Sequence, residues 1–215
     1  FINLEDAIQI EKSKNLKVFS FGLNKVNADV NISSIAANPF VEIHFSDLRI
    51  QTHLIGLYNA NNINAALTIG KYFGVDDLAI KDALESYIPE NNRSQLLTNG
   101  TNQIILDAYN ANPSSMMVAI ENFLQLQESN KIMVLGDMFE LGNESNQEHQ
   151  AIVNLLSDRK DVAFYFIGKE FYCHRINTNN FHFFETFDAF SEYLKEVKIE
   201  NSSILIKGSR GMALE

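Results

Sequence analysis

Between residues 103 and 206, short apolar runs recur at intervals filled by helix-length amphipathic segments, and this alternation restricts the fold more than any other feature of the chain. The runs fall at 103–106, 132–135, 162–167, 181–184 and 204–206. Helical spacing covers 114–127, 147–156 and 188–197, while the segment after 167 carries no clear period. Strands joined this way pair in parallel, because a parallel connection needs a crossover long enough to hold a helix. The expectation is an α/β fold: a doubly wound, mainly parallel sheet with helices on both faces. Ligands of such sheets bind beyond the carboxyl ends of the strands, which directs attention to 107–113, 136–142 and 207–211.

Upstream, 16–21, 40–45 and 49–54 are short, β-branched or aromatic and partly alternating, and read as strands, the last two forming a hairpin through 47–49. From Asn59 the apolar or small residues Ala60, Ile63, Ala66, Leu67, Gly70 and Phe73 take helical spacing, with Gly74 as the stop. A second helix is expected from Asp76 to Tyr87, capped by Asp76 or Asp77. Pro89 and the polar stretch 90–94 make the best boundary in the 215 residues. Two domains follow as the expectation, 1–87 and 88–215.

The formal charge of −10 repels nucleic acid and anionic membrane at long range, so any phosphate must be held by local devices. No apolar run approaches the roughly 18 residues needed to span a bilayer. Cys173 is the only cysteine, and no Cys/His spacing suits zinc. A cytoplasmic location is expected from that cysteine usage. Phe1 follows no initiator Met and no basic leader, so the chain reads as cut from a longer one.

Four polar clusters stand out. Segment 56–66 places four asparagines, Asn59, Asn61, Asn62 and Asn64, within six residues at a helix entry. Asparagine amides can read a base edge or cap helix amides, and capping alone needs only one of them. Arg93 in the boundary loop can hold a phosphate or ribose, or simply be solvated. In 107–113, Asp107 can accept ribose hydroxyls and the pair Asn110 and Asn112 can present amides to a peptide. A helix cap with Asx turns explains Asn112 equally well but leaves Asp107 and Tyr109 unexplained. The fourth cluster combines Asp137, Glu140 and His149 with Lys207, Ser209 and Arg210. Its acids can receive an ammonium and Lys207 or Arg210 a carboxylate, which suits a zwitterion; turn chemistry and surface charge are the plainer account. No G-x-x-x-x-G-K-[ST] phosphate loop is present in the chain.

In order and separation, DAYNANPSSM at 107–116, LGDMFELG at 135–142 followed by His149, and KGSRGMALE at 207–215 resemble the Mur ligase family. They are most similar to its D-alanyl-D-alanine-adding branch. The resemblance spans essentially the whole chain. It implies that 1–87 is the latter part of a central ATPase domain and 88–215 a Rossmann-like carboxy-terminal domain. The family element G-x-H-N-x-x-N-x-x-A-A falls on 56–66, implying that Asn59 and Asn62 lie against adenine, although Tyr58 stands where the family usually has His. By the same resemblance Arg93 reaches the nucleotide and Asp107 holds its ribose, while Asn110, Asn112, Asp137, Glu140, Lys207 and Ser209 line the amine-substrate side.

The implied chemistry uses ATP and magnesium to form an acyl phosphate on UDP-N-acetylmuramoyl-tripeptide, which the amine of D-alanyl-D-alanine attacks. Lacking a phosphate loop and metal ligands, these residues by themselves are expected to be inactive. Another member of the superfamily, such as a diaminopimelate- or lysine-adding ligase or folylpolyglutamate synthase, is the alternative among enzymes. A non-catalytic nucleotide- or protein-binding module is the alternative outside them.

Overall fold

The computed structural model describes residues 1–90, 92–128 and 130–215, which separate into two units, Phe1–Ile88 and Pro89–Glu215. Of the boundary stretch 90–94, Asn91 lies outside the described residues. Among the described residues no helix is long and apolar enough to cross a membrane.

The first unit holds β1 (Ile2–Asn3), α1 (Ala7–Ser13), β2 (Ser20–Leu23), β3 (Val30–Ala37), β4 (Phe40–Phe45), β5 (Leu48–Ile55), α2 (Ala60–Tyr72) and α3 (Asp77–Ser86). Its five strands lie in sequence order, parallel from β1 to β3 and antiparallel from β3 to β5. Period-two burial explains the sheet: Val30, Ile32, Val41, Ile43 and Ile50 turn inward, where Ala60, Ile63 and Leu67 of α2 and Ile80 of α3 cover them. Asp76 caps α3 by accepting the Leu78 N–H. The strand expected at 16–21 begins only at Ser20, whose N–H and hydroxyl both bond the Asp29 carboxylate at 2.7 Å. Ahead of it only the Phe19 carbonyl joins the ladder, accepting the Ile2 N–H at 3.1 Å.

In the second unit the chain runs β6 (Gln95–Asn99), β7 (Asn102–Asp107), α4 (Pro113–Gln125), β8 (Lys131–Gly136), α5 (Ser145–Leu156), β9 (Val162–Ile167), α6 (Lys169–Cys173), β10 (Phe181–Phe184), α7 (Phe187–Glu196) and β11 (Ser203–Lys207). The sheet order is β10-β9-β8-β11-β7-β6, parallel throughout except for the β6–β7 hairpin at one edge. From β7 the chain steps outward through β8 and β9 to β10, then returns to insert β11 between β7 and β8. Right-handed crossovers therefore require α4, α5 and α6 on one face and α7 on the other. Packing agrees. Phe190 of α7 joins Tyr165, Ile167, Ile132, Val134 and Ile204, while Phe171 of α6 lies 5.1 Å from Phe166 and 4.6 Å from His149 of α5. Both faces are covered, so consecutive residues such as Phe164, Tyr165, Phe166 and Ile167 are all buried, as parallel strands demand.

Phe166 is fully buried and rings with Phe183 at 4.7 Å as well as with Phe171. Phe166→Ala is expected to destabilise the second unit by about 3–5 kcal/mol, seen as a lowered urea midpoint; an unchanged midpoint would contradict the packing described.

Candidate functional site

Parallel register delivers the carboxyl ends of four strands to one edge: Lys207 is level with Asp107 on one side and Leu135 on the other, and Gly136 with Ile167. Lys207 is 2% exposed, and its ammonium bonds Asp107 Oδ2 at 2.7 Å and the Asn110 carbonyl at 3.2 Å. The other Asp107 oxygen accepts the Ser94 N–H at 3.1 Å, and Tyr109 N–H reaches the Asn92 carbonyl at 3.1 Å. The Lys207–Asp107 pair thus fastens both to the sheet, the carboxylate holding the boundary loop and the ammonium the 108–110 turn.

Over that turn, the Arg93 guanidinium lies 3.8 Å from the centre of the Tyr109 ring and that of Arg210 lies 5.4 Å from it. Neither arginine enters an ion pair among the described residues. The hydrogen bond from Arg93 and then the charges of Arg93 and Arg210 hold the Tyr109 phenol below the usual tyrosine range. Two exposed guanidiniums held over one half-buried aromatic ring gather positive charge that can receive an anion.

The loop after β8 is pinned at successive amides. Asp137 N–H donates to the Ile167 carbonyl, Met138 N–H to His149 Nε2 at 2.9 Å, and Phe139 N–H to Ser209 Oγ at 2.8 Å. Because Nε2 accepts, the imidazole proton is on Nδ1, which donates to the Ser145 carbonyl at 2.7 Å. The Asp137 carboxylate accepts the N–H groups of Glu170 and Phe171, both at 3.0 Å, and so begins α6. Burial pushes the Asp137 carboxyl above the ordinary aspartate range, with those two amides working against the rise. At Gly168 (φ 122°) a Cβ would stand 2.2 Å from that carboxylate, which explains the glycine.

Between this loop and α6 opens a cleft of about 570 Å³, with Met138, Phe139, Leu141 and Met212 as apolar wall and Glu140, Lys169, Glu170 and Glu185 as charged rim. Glu140 takes φ 67°. Of the expected substrate residues, Asp137 and Glu140 line the cleft and Ser209 shapes it from behind, as does His149. Asn110 folds onto the Ala111 N–H at 2.9 Å. Asn112 caps α4 through a reciprocal pair with Ser115, which is the plainer of the two readings of that residue. Lys169, Glu170 and Glu185 escaped notice in the sequence. Gly168 directly after a strand was the available signal.

In the first unit Asn59 is buried, and its amide donates to the Ile55 carbonyl at 2.8 Å while its oxygen accepts Asn62 Nδ2 at 3.1 Å. Its side chain therefore ties β5 to α2 and does not cap the helix, contrary to the capping account. Among the described residues no group of three or more His, Cys, Asp or Glu side chains is arranged to hold a metal ion.

The family model described as "Mur ligase, glutamate ligase domain" matches residues 92–210. The chain belongs to the Mur ligase family. A UDP-N-acetylmuramoyl-tripeptide–D-alanyl-D-alanine ligase of Bacillus subtilis is 34% identical to this Mur ligase chain over 75% of its length, covering 37% of that protein. One from Rickettsia prowazekii is 28% identical over 94% of this chain and 47% of its own length. A solved MurF from Acinetobacter baumannii superposes with a TM-score of 0.80 at 25% identity, covering 98% of this chain and 49% of the other. The chain spans about half, or less, of the length of these relatives.

Two outcomes test this geometry. Gly168→Ala should lower the urea midpoint markedly through its clash with Asp137. Gly142→Ala, at φ 56° with open space around it, should cost only about 1–2 kcal/mol. The Tyr109 phenol should titrate below a free tyrosine in ultraviolet difference spectra against Tyr109→Phe, and Arg93→Ala should move it up.

Proposed function

We propose that this chain is the nucleotide- and amine-binding part of a cytoplasmic ATP-dependent ligase. In this reading the enzyme joins D-alanyl-D-alanine to UDP-N-acetylmuramoyl-tripeptide in peptidoglycan precursor synthesis, with ATP and magnesium as cofactors. The observation that carries the proposal is the gathering of 107–112, 136–142 and 207–210 at one sheet edge, with two exposed arginines over Tyr109 on one side and a cleft with apolar wall and charged rim on the other. The residues 1–87 would be the latter part of the central ATPase domain and 88–215 the carboxy-terminal domain.

Roles follow from what each side chain has free. Arg93 meets the nucleotide, and the remaining lone pairs of Asp107 accept ribose hydroxyls. Asn62, exposed at the helix entry, faces adenine, and Asn59, buried and bonded to Ile55 and Asn62, belongs to the same adenine-facing element and acts by positioning it. Glu140 faces the amine, while Asn110 and Asn112 border its path. Lys207, Asp137 and Ser209, already bonded within the fold, act by positioning. The reaction transfers the γ-phosphoryl of ATP to the tripeptide carboxylate. The neutral dipeptide amine then attacks the acyl carbon, phosphate leaves, and the amine proton is lost. Orienting the amine and excluding water from the cleft are this chain's share of that chemistry.

The test is phosphate release by the full-length enzyme given ATP, magnesium and UDP-N-acetylmuramoyl-tripeptide, with D-alanyl-D-alanine present, omitted or replaced by single amino acids. Release should depend on the dipeptide. Arg93→Ala, at an exposed position, should raise the KM for ATP about tenfold or more without loss of fold. Release with no amine dependence would sink the proposal.

A further inference from the structure

We infer that Lys169 receives the free carboxylate of the dipeptide amine substrate and so sets the requirement for an acid over an amide at that end; this rests on the reading of the cleft as the amine site. The cleft is lined by three glutamates and Asp137 but by a single cation, Lys169. The other positive groups of this edge are elsewhere or spent. The Lys207 ammonium is buried against Asp107 and the Asn110 carbonyl, and Arg93 and Arg210 lie over Tyr109. None of those three lines the cleft.

Lys169 itself is exposed and in no ion pair among the described residues, whereas its neighbour Glu170 is held by the Ser145 hydroxyl at 2.9 Å. Its place on the cleft wall is nonetheless fixed. Gly168 before it is wedged against the Asp137 carboxylate, and the two amides after it donate to that same carboxylate. A zwitterionic peptide entering a cleft with several acids and one lysine has one arrangement that matches charge at both ends: ammonium toward Glu140 or Glu185, carboxylate on Lys169.

The experiment compares D-alanyl-D-alanine with D-alanyl-D-alaninamide as amine substrate of the full-length enzyme, for the wild type, Lys169→Gln and Lys169→Arg, reading kcat and KM separately. The wild type should prefer the acid by about tenfold to a hundredfold in kcat/KM. Lys169→Gln should raise the KM for the acid by a similar factor with kcat nearly unchanged and handle acid and amide alike. Lys169→Arg should keep the preference. If Lys169→Gln retains the preference while dipeptide-dependent phosphate release continues, or if the wild type does not distinguish acid from amide, this inference is overturned and the ligase reading stands. Absence of any dipeptide-dependent release by the wild type overturns both.

Discussion

The ion pair between Lys207 and Asp107 is the constraint on which the working edge of the second unit depends. A lysine that is 2% exposed loses its hydration, and that loss is tolerated only where fixed acceptors replace water. Here β11 and β7 lie side by side in parallel register, so two residues a hundred positions apart in sequence meet at 2.7 Å. The consequences spread from that contact. Asp107 holds Ser94, the Lys207 ammonium holds the Asn110 carbonyl, and the two loops that carry Arg93 and Tyr109 are thereby located. Removing one partner would strand a buried charge at a cost of about 3–5 kcal/mol, and would release both loops together.

Asp137 does for the neighbouring strands what Asp107 does for these. Its carboxylate bridges from the end of β8 to the start of α6, and His149 and Ser209 complete the bonding of the amides that follow it. Burial raises the pKa of this group in the folded state, so its contribution to stability is greatest below the unfolded aspartate pKa and falls as pH rises through the folded value. The two amides reduce that loss by favouring the ionised form. The charged residues of this edge thus divide in two. Lys207, Asp107 and Asp137 hold backbone in place, while Arg93, Arg210, Lys169 and Glu140 remain exposed to solvent.

Most of the second unit was legible in the sequence because its strands are buried on both faces and its helices carry apolar stripes. Positions 132–135, 162–167, 181–184 and 204–206 all fall within observed strands. What escaped was short or exposed. β6 has no buried residue and α1 none either, so neither leaves an apolar period to find. β3 alternates at Val30 and Ile32, then dissolves into serine and alanine where its register with β4 shifts. At the site, motif residues could be picked out but not what each one touches. Whether Lys207 faces a ligand or Asp107 depends on strand register, and whether Asn59 caps a helix or ties back to Ile55 depends on the angle at which the strand enters α2. Lys169 carries no motif at all; only the turn at Gly168 places it.

Net charge and local charge act on different scales at this edge. With −10 overall, the chain offers no long-range attraction for a triphosphate or an anionic peptide precursor. At physiological salt, however, screening limits that field to roughly 8 Å, and within such a range the groups that count are Arg93 and Arg210 at 3.8 and 5.4 Å from one ring. Holding an anion here is consequently a matter of shape and preset geometry. A guanidinium on a loose loop would be one more solvated surface charge, whereas one stacked on a tyrosine whose turn is fastened to Lys207 would meet an anion with little left to order.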